Sequence, residues 1–478
     1  MKMKQKAPSN QLALKGGSYS LFVTAVVLAI LIVVNIFASA LPTSLTKYDI
    51  SSSKLYSITS NTKVVVNNLQ QDITIYWVVQ ADMEDAIIEN LLGKYESLSS
   101  HIEVVKKNPD VFPTFAEQYT DEDVPNNSLI VESGERYRYI SYDDLYETEL
   151  DSYSYTYVTS GFDGEGAITS AIDYVVTEDL PQLYVLEGHG EAELPATFTD
   201  SIDKANIEVN SLSLLTVDEV PEEADAIVIY APESDISEEE KTMLADYADN
   251  GGKLLVMAGP VEGATLTNLN SLLSDYGVEM NEGIVIEGDR NYYAFGYPYI
   301  LMPEMASSNI TDTLIAENYY PILPLAQGMT VGTTTKGTVT ELMTTSYDAF
   351  SKVAGFELAS YEYEDGDIYG PFTLAVSIET NGAGQIIWFS ASDFLDDMYN
   401  AYSSGANVDL AMNALSSLIG EREAIAIRSK SLNYNYLTIN DSTASTLKTL
   451  MIGVFPIVYL GIGIYVIVRK RGKQNETV

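Results

Sequence analysis

The sequence predicts an α/β protein: a layered α/β body preceded by a smaller α/β domain, the two flanked by two transmembrane helices. Three observations predict it. Residues 19–41 (YSLFVTAVVLAILIVVNIFASAL) and 450–468 (LMIGVFPIVYLGIGIYVIV) carry no charge. Each is long enough to cross a hydrocarbon core of about 30 Å at 1.5 Å per helical residue. Between them, β-branched and aromatic runs alternate with stretches of helical period, which is the order of a layered α/β fold. Two of these runs, 226–230 (AIVIY) and 385–390 (QIIWFS), are apolar almost throughout, as in strands covered on both faces.

The flanks of the apolar segments set an orientation. Lys2, Lys4, Lys6 and Lys15 precede the first, and Arg469, Lys470, Arg471 and Lys473 follow the second. The positive-inside rule then predicts cytoplasmic tails at 1–18 and 469–478, with 42–449 on the extracytoplasmic side of a plasma membrane. Ala38-Ser39-Ala40 matches a signal-peptidase site. The apolar run is longer than a cleavable leader's core of 7–15 residues, so an uncleaved anchor is expected and cleavage stays open.

The first domain is expected over 42–160. Ser57 and Thr59 are cap-type residues ahead of a short helix at 64–69. Residues 72–79 (DITIYWVV) read as a strand. Residues 85–98 place Ile87, Ile88, Leu91, Leu92 and Tyr95 at helical spacing, and 102–106 read as the next strand. Farther on, Tyr137 and Tyr139 share one strand face and Tyr153, Tyr155 and Tyr157 another, because strand side chains repeat with period two. Cross-strand packing is the expected use of these tyrosines; stacking on sugar rings is the alternative.

The large domain is expected over 161–424. Residues 165–176 read as a helix and 183–186 as a strand ending in Glu187-Gly188-His189-Gly190-Glu191. After the 226–230 strand, Ser237 caps a helix with acid in its first turn, and Gly251-Gly252 closes it. A strand at 253–258 and an amphipathic helix at 266–276 follow. Phe356–Tyr363 and Tyr369–Ile378 flank Asp365-Gly366, which predicts a hairpin. A helix at 407–419 precedes a juxtamembrane linker at 425–449.

Composition narrows the function. The chain holds 26 basic and 68 acidic residues. With the eight tail cations and Glu476 set aside, 18 basic face 67 acidic residues, a formal charge of −49 for the body. Such a body repels nucleic acid and stays well solvated. There is no cysteine, which excludes disulfides, thiol catalysis and cysteine metal sites. No G-x-x-x-x-G-K-[ST] run occurs, so no ATP hydrolysis and no cofactor are expected.

Five stretches in order resemble the GldG-like family of auxiliary membrane proteins of ABC transport systems, first associated with bacterial gliding. They are Tyr48-Asp49-Ile50 with Leu55-Tyr56-Ser57-Ile58; Gly166-Ala167-Ile168-Thr169-Ser170-Ala171-Ile172; Leu186-Glu187-Gly188-His189-Gly190-Glu191; 224–229 through 251–255; and Ile425-Ala426-Ile427-Arg428-Ser429-Lys430. The resemblance implies a flavodoxin-like or amidotransferase-like large domain. It also implies a non-catalytic role beside ATPase and permease subunits, and it carries over no catalytic residues.

Two turns at strand ends are the candidate ligand or interface sites. His189, with Glu187 and Glu191, follows a strand where open α/β sheets place ligands. Ser392 and Asp393 follow the 385–390 strand in the same way. A serine hydrolase would need a G-x-S-x-G elbow, and none occurs. A surface hydrolase centred on His189 remains an alternative, as does a tethered glycan or cell-wall binding protein. The acids Glu362, Glu364, Asp365 and Asp367 invite a calcium reading but lack EF-hand spacing and its terminal glutamate, so a solvated hairpin is expected.

Overall fold

The computed structural model describes residues 22–34, 36, 55, 57–151, 156–420, 427, 429–432 and 448–475. The chain divides into two compact units, Met1–Ser431 and Leu432–Val478.

In the first unit, α1 (Ser60–Asn67) starts at Thr59, whose side chain accepts from the Thr62 N–H. β1 (Ile73–Val78), α2 (Ala86–Leu98) and β2 (Ile102–Lys107) form a βαβ unit with β1 and β2 parallel. Asp85 caps α2 by accepting from the N–H groups of Ile87 and Ile88. β3 (Ser128–Ser133) and β4 (Arg136–Ile140) complete an antiparallel extension in the order β2-β1-β3-β4. β5 (Tyr146–Asp151) and β6 (Thr156–Phe162) form a separate hairpin. Tyr137 is exposed and meets Tyr119 edge-on, while the Tyr139 hydroxyl donates to Ser128. Tyr153 and Tyr155 lie outside the described residues, as do Ala38, Ser39 and Ala40.

α3 (Gly164–Val176) packs on β3 and β4 and leads into the large sheet. That sheet contains β7 (Gln182–Leu186), β8 (Glu208–Leu212), β9 (Ala226–Tyr230) and β10 (Lys253–Met257). Three helices follow or separate these strands: α4 (Ala196–Lys204), α5 (Glu238–Asp249) and α6 (Thr267–Ser274). β11 (Val278–Met280), β12 (Met329–Val331), β13 (Gly337–Thr344), β14 (Thr373–Thr380) and β15 (Gln385–Phe389) extend it, and α7 (Asp397–Tyr402) and α8 (Ala406–Ile419) follow. The parallel part runs β8-β7-β9-β10-β15. Numbered along the chain this is 2-1-3-4-5, the order of flavodoxin-like sheets. β14 then pairs antiparallel with β15, and β13 and β12 pair antiparallel with β14.

Period two places alternate residues of one strand in different layers. Ala226, Val228 and Tyr230 of β9 pack with Leu255, Phe389, Phe198 of α4 and Leu410 of α8. Ile227 and Ile229 face the other way, onto Leu254, Trp388, Leu244 of α5 and Leu269 of α6. Both faces of β9 are therefore core, and all five of its residues are buried, as its unbroken apolar run predicts.

Two expectations are corrected. Residues 356–363 are not a strand, and no Asp-Gly hairpin forms; β13, in a stretch whose periodicity is weak, takes the place beside β14. The loop is instead organised around Lys352, whose side chain is fully buried. Its ammonium lies 2.7 Å from Glu364 and 3.1 Å from Asp367, and it donates to the Glu362 carbonyl. Half of the acid cluster is thus neutralised by a cation from within the chain rather than solvated.

At the ends, residues 22–34 are helical, and α9 (Phe455–Asn475) follows a π-helical turn at Thr449–Val454. Among the described residues, no helix is long and apolar enough to cross a membrane. The uncharged part of α9 stops at 468 and the helix continues through Arg469, Lys470 and Arg471.

Candidate functional site

The strand order reverses between β7 and β9, so the crevice beyond their carboxyl ends is where an open α/β sheet binds ligands. Gly188-His189-Gly190 occupies that point, with Gly188 and Gly190 at φ of 128° and 77°, values that favour glycine. The His189 carbonyl accepts from the N–H groups of Glu233 and Ser234, which binds the turn to the segment after β9.

The imidazole of His189 is buried, and carboxylates take both its nitrogens. Nδ1 is 3.0 Å from Glu191, which also accepts the His189 N–H at 2.7 Å. Nε2 is 3.1 Å from Glu240 Oε2. Glu240 is the reciprocal partner in the capping box of α5: Ser237 Oγ accepts the Glu240 N–H and Glu240 accepts the Ser237 N–H. Burial raises the Glu240 carboxyl, but the Ser237 hydrogen bonds and the nearby His189 outweigh it and hold it below the ordinary value. Glu187 turns outward and accepts from Ser211 instead. The structure therefore unites His189 with Glu191 and parts it from Glu187. Glu240, 51 residues away, is the partner that sequence patterns miss, although its capping-box spacing with Ser237 is visible in them. Among the described residues neither ring nitrogen faces a hydroxyl, so the ring braces a turn and a helix start.

Ser392 and Asp393 sit at the end of β15 in a short turn, Asp393–Leu395, with Ser392 Oγ donating to Asp393 at 3.1 Å. β15 is three strand steps from β7, about 14 Å at the usual spacing. The two predicted turns therefore share an edge of the sheet without sharing a reacting atom. Tyr230, at the end of β9, has its phenol pushed up by burial and by Asp393, Asp396 and Asp397.

The most heavily bonded carboxylate is Glu165, in the first turn of α3 and 2 % exposed. Oε1 accepts from Thr59 N–H at 2.7 Å, Thr59 Oγ1 at 2.8 Å and Thr62 Oγ1 at 2.7 Å. Oε2 pairs with Lys430 Nζ at 2.6 Å, and the same ammonium donates to the Ser57 carbonyl. Lys430 belongs to β16 (Lys430–Ser431), which adds to β6. One side chain thus ties the first described residues of the body to its last. Nearby, Asp163 Oδ2 pairs with Lys204 Nζ at 2.6 Å, and Asp200 approaches the same ammonium at 2.9 Å. Burial lifts the Asp163 carboxyl to about 6, with Lys204 pulling the other way. Among the described residues no group of three acids or histidines is placed to hold a metal ion.

Residues 180–414 match a family described as an ABC-type uncharacterized transport system. The match spans 235 of the chain's 478 residues, just under half of it. The matched segment contains the whole parallel part of the sheet and both turns at its edge, and it lies within the GldG-like resemblance. Residues 52–145 match a domain of unknown function. A comparison with curated proteins returns no match. Among solved structures, the mmIFT52 N-terminal domain is 16% identical, covering 50% of this chain and 98% of its own, with a TM-score of 0.38. A glutamine amidotransferase from Thermotoga maritima is 9% identical over 51% of this chain and 100% of its own, with a TM-score of 0.29. The exo-beta-1,4-mannosidase Op5Man5 from Opitutaceae bacterium strain TAV5 is 11% identical over 70% and 48%, with a TM-score of 0.26. All three TM-scores are below 0.5, so the fold rests on its own strand order.

Proposed function

We propose that this chain is a non-catalytic auxiliary subunit of an ABC-type transport system, anchored in a bacterial plasma membrane by 19–41 and 450–468, with its acidic body outside. The family match over 180–414 carries the reading. The absence of a nucleotide motif and of cysteine from the sequence agrees with a partner that leaves ATP chemistry to another subunit. The Glu165 node supports it mechanically, because it joins the segment after the first apolar run to the segment before the second.

Two experiments test this. Tagged full-length chain, solubilised from its native membrane, should co-purify with an ATPase carrying Walker motifs and with a multispan permease; reproducible isolation of the chain alone would remove the auxiliary role. For topology, the cysteine-free sequence allows single probes. An impermeant maleimide on intact cells should label Ser234→Cys in the body and spare Lys4→Cys and Lys473→Cys. Labelling of either tail would overturn the orientation.

A second reading, glycan binding, is favoured by one observation. Phe295 and Tyr402 pair at 5.0 Å, Tyr297 and Tyr299 at 5.6 Å, and Tyr299 and Tyr361 at 5.6 Å. Tyr299 and Tyr399 both rest on Ala294, Ile300 and Ile322, and the rings of Phe295, Tyr297, Tyr361 and Tyr402 are exposed. Exposed rings of this kind suit pyranose faces. Retention of the chain on cell-wall polysaccharide should fall in a Tyr297→Ala, Tyr361→Ala double variant; unchanged retention would set the reading aside.

A further inference from the structure

A cavity of about 500 Å³ opens at the carboxyl end of β10, the edge where an open α/β sheet places ligands. Its walls are Gly259 and Pro260, which continue the chain beyond β10, then α6 with the residues leading into it, the segment after β11, and the loop that carries Phe356. The volume lies within the range of small-molecule pockets. Among the described residues its charged lining is Glu279 and Glu282, both exposed, with no lysine, arginine or histidine. An anionic ligand would therefore enter an acidic body without a counter-charge.

The polar groups of the wall are amides and hydroxyls. Gln327 Nε2 donates to the Asn281 carbonyl at 2.7 Å, which fixes the amide and leaves Oε1 as an acceptor. Ser271 Oγ donates to the Asn268 carbonyl at 2.7 Å and keeps its lone pairs. The side chains of Thr265, Thr267 and Asn270 form no hydrogen bond within the described residues. Phe356 adds a ring that is 40% exposed. A sugar unit uses this combination, because its hydroxyls both donate and accept and its C–H face packs on a ring. A wholly apolar ligand would cover the amides without bonding them.

The cavity also borders the exposed rings. Leu325 N–H donates to the Tyr299 carbonyl at 3.0 Å, and two residues on, Gln327 lines the cavity. The end of β10 packs on the same segment: a Cβ on Gly259 would lie 3.5 Å from the Leu325 carbonyl. Phe356 of the cavity wall and Tyr361 lie on one loop, and Tyr361 meets Tyr299 at 5.6 Å.

We propose that the cavity seats one uncharged sugar unit of a glycan, and that the rest of the glycan leaves over Phe356 toward Tyr361 and Tyr299. This rests on the glycan-binding reading and names the class of glycan, an uncharged one.

Titration calorimetry on the full chain, solubilised in a detergent with no sugar headgroup, tests this. The probes are cellohexaose and the hexamer of N-acetylglucosamine, both uncharged, and the hexamer of galacturonic acid. The expected result is saturable one-to-one binding of at least one uncharged hexamer and none of the acidic one. Preference between the uncharged hexamers separates a plain hexose from an acetamido sugar. Asn270→Ala and Phe356→Ala should each weaken binding about fivefold to tenfold. The fold is retained in both, since the Asn270 side chain bonds nothing in the described protein and Phe356 is partly exposed. Unchanged affinity in both variants overturns the proposal; if the Tyr297→Ala, Tyr361→Ala double variant still weakens binding, the glycan reading stands without it. Equal binding of the acidic hexamer overturns it too. Absence of hexamer binding while the chain is still retained on cell-wall polysaccharide overturns the proposal alone, and loss of both removes the glycan reading as well.

Discussion

At the residue scale, two buried carboxylates near the start of α3 behave oppositely. Glu165 is saturated: three donors on one oxygen and an ammonium on the other. Truncating one member of such a buried pair leaves the other uncompensated, at about 3–5 kcal/mol. Glu165→Ala and Lys430→Met should each lower the midpoint of thermal unfolding of the body by several degrees. The double variant should lose less than the sum, because the two side chains share one interaction. Asp163 is under-satisfied, and burial raises its carboxyl to about 6. Raised above the ordinary value, it takes up a proton in the folded chain first. Its contribution to stability therefore improves as pH falls through about 6 toward 4 and worsens as pH rises again. Melting curves of wild type and Asp163→Asn should diverge over that window, with the wild type gaining at the lower pH.

At the scale of the element, the capping box of α5 does two jobs. Ser237 and Glu240 close the first turn of the helix, and Glu240 also holds the ring of His189 in the switch-point turn. Ser237→Ala should cost about 1 kcal/mol, the usual loss of a cap. His189→Ala should cost more, since it strands Glu191 and Glu240 in a buried place. Chemical denaturation of the two variants checks the order; equal losses would show that the histidine does not brace the helix. Because the Glu240 carboxyl is depressed, the stability it confers is present above its ordinary range and is lost as pH falls through the folded value. The sequence marked α5 well, from Ser237 through the glycine stop. It marked the 356–363 segment poorly, because a buried lysine, not a period, decides how that loop folds.

For the whole molecule, charge outweighs any single contact. A body with a formal charge of −49 repels itself, and screening lengths shorten from about 30 Å at 0.01 M salt to 10 Å at 0.1 M. Raising NaCl from 10 to 300 mM should raise the melting temperature of the body by a few degrees; a fall would mean that internal ion pairs such as Lys204–Asp163 and Lys430–Glu165 outweigh the global repulsion. The same charge leaves a cationic ligand or a basic partner as the natural visitor to the surface.

Periodicity and residue type alone determined much of this protein. The unbroken apolar run of β9, the Thr59 and Ser237 caps, and the lack of cysteine and of a phosphate-binding loop were all legible, because each is read from residue type or from neighbours a few residues apart. Only the tertiary structure decided which charges meet. Glu165 finds Lys430 across 265 residues, Glu240 finds His189 across 51, and Asp163 finds Lys204 on one oxygen only. Nothing local encodes those outcomes. A carboxylate's partner is set by the packing of whole elements, and burial then turns a short distance into either a strong tie or an unmet demand.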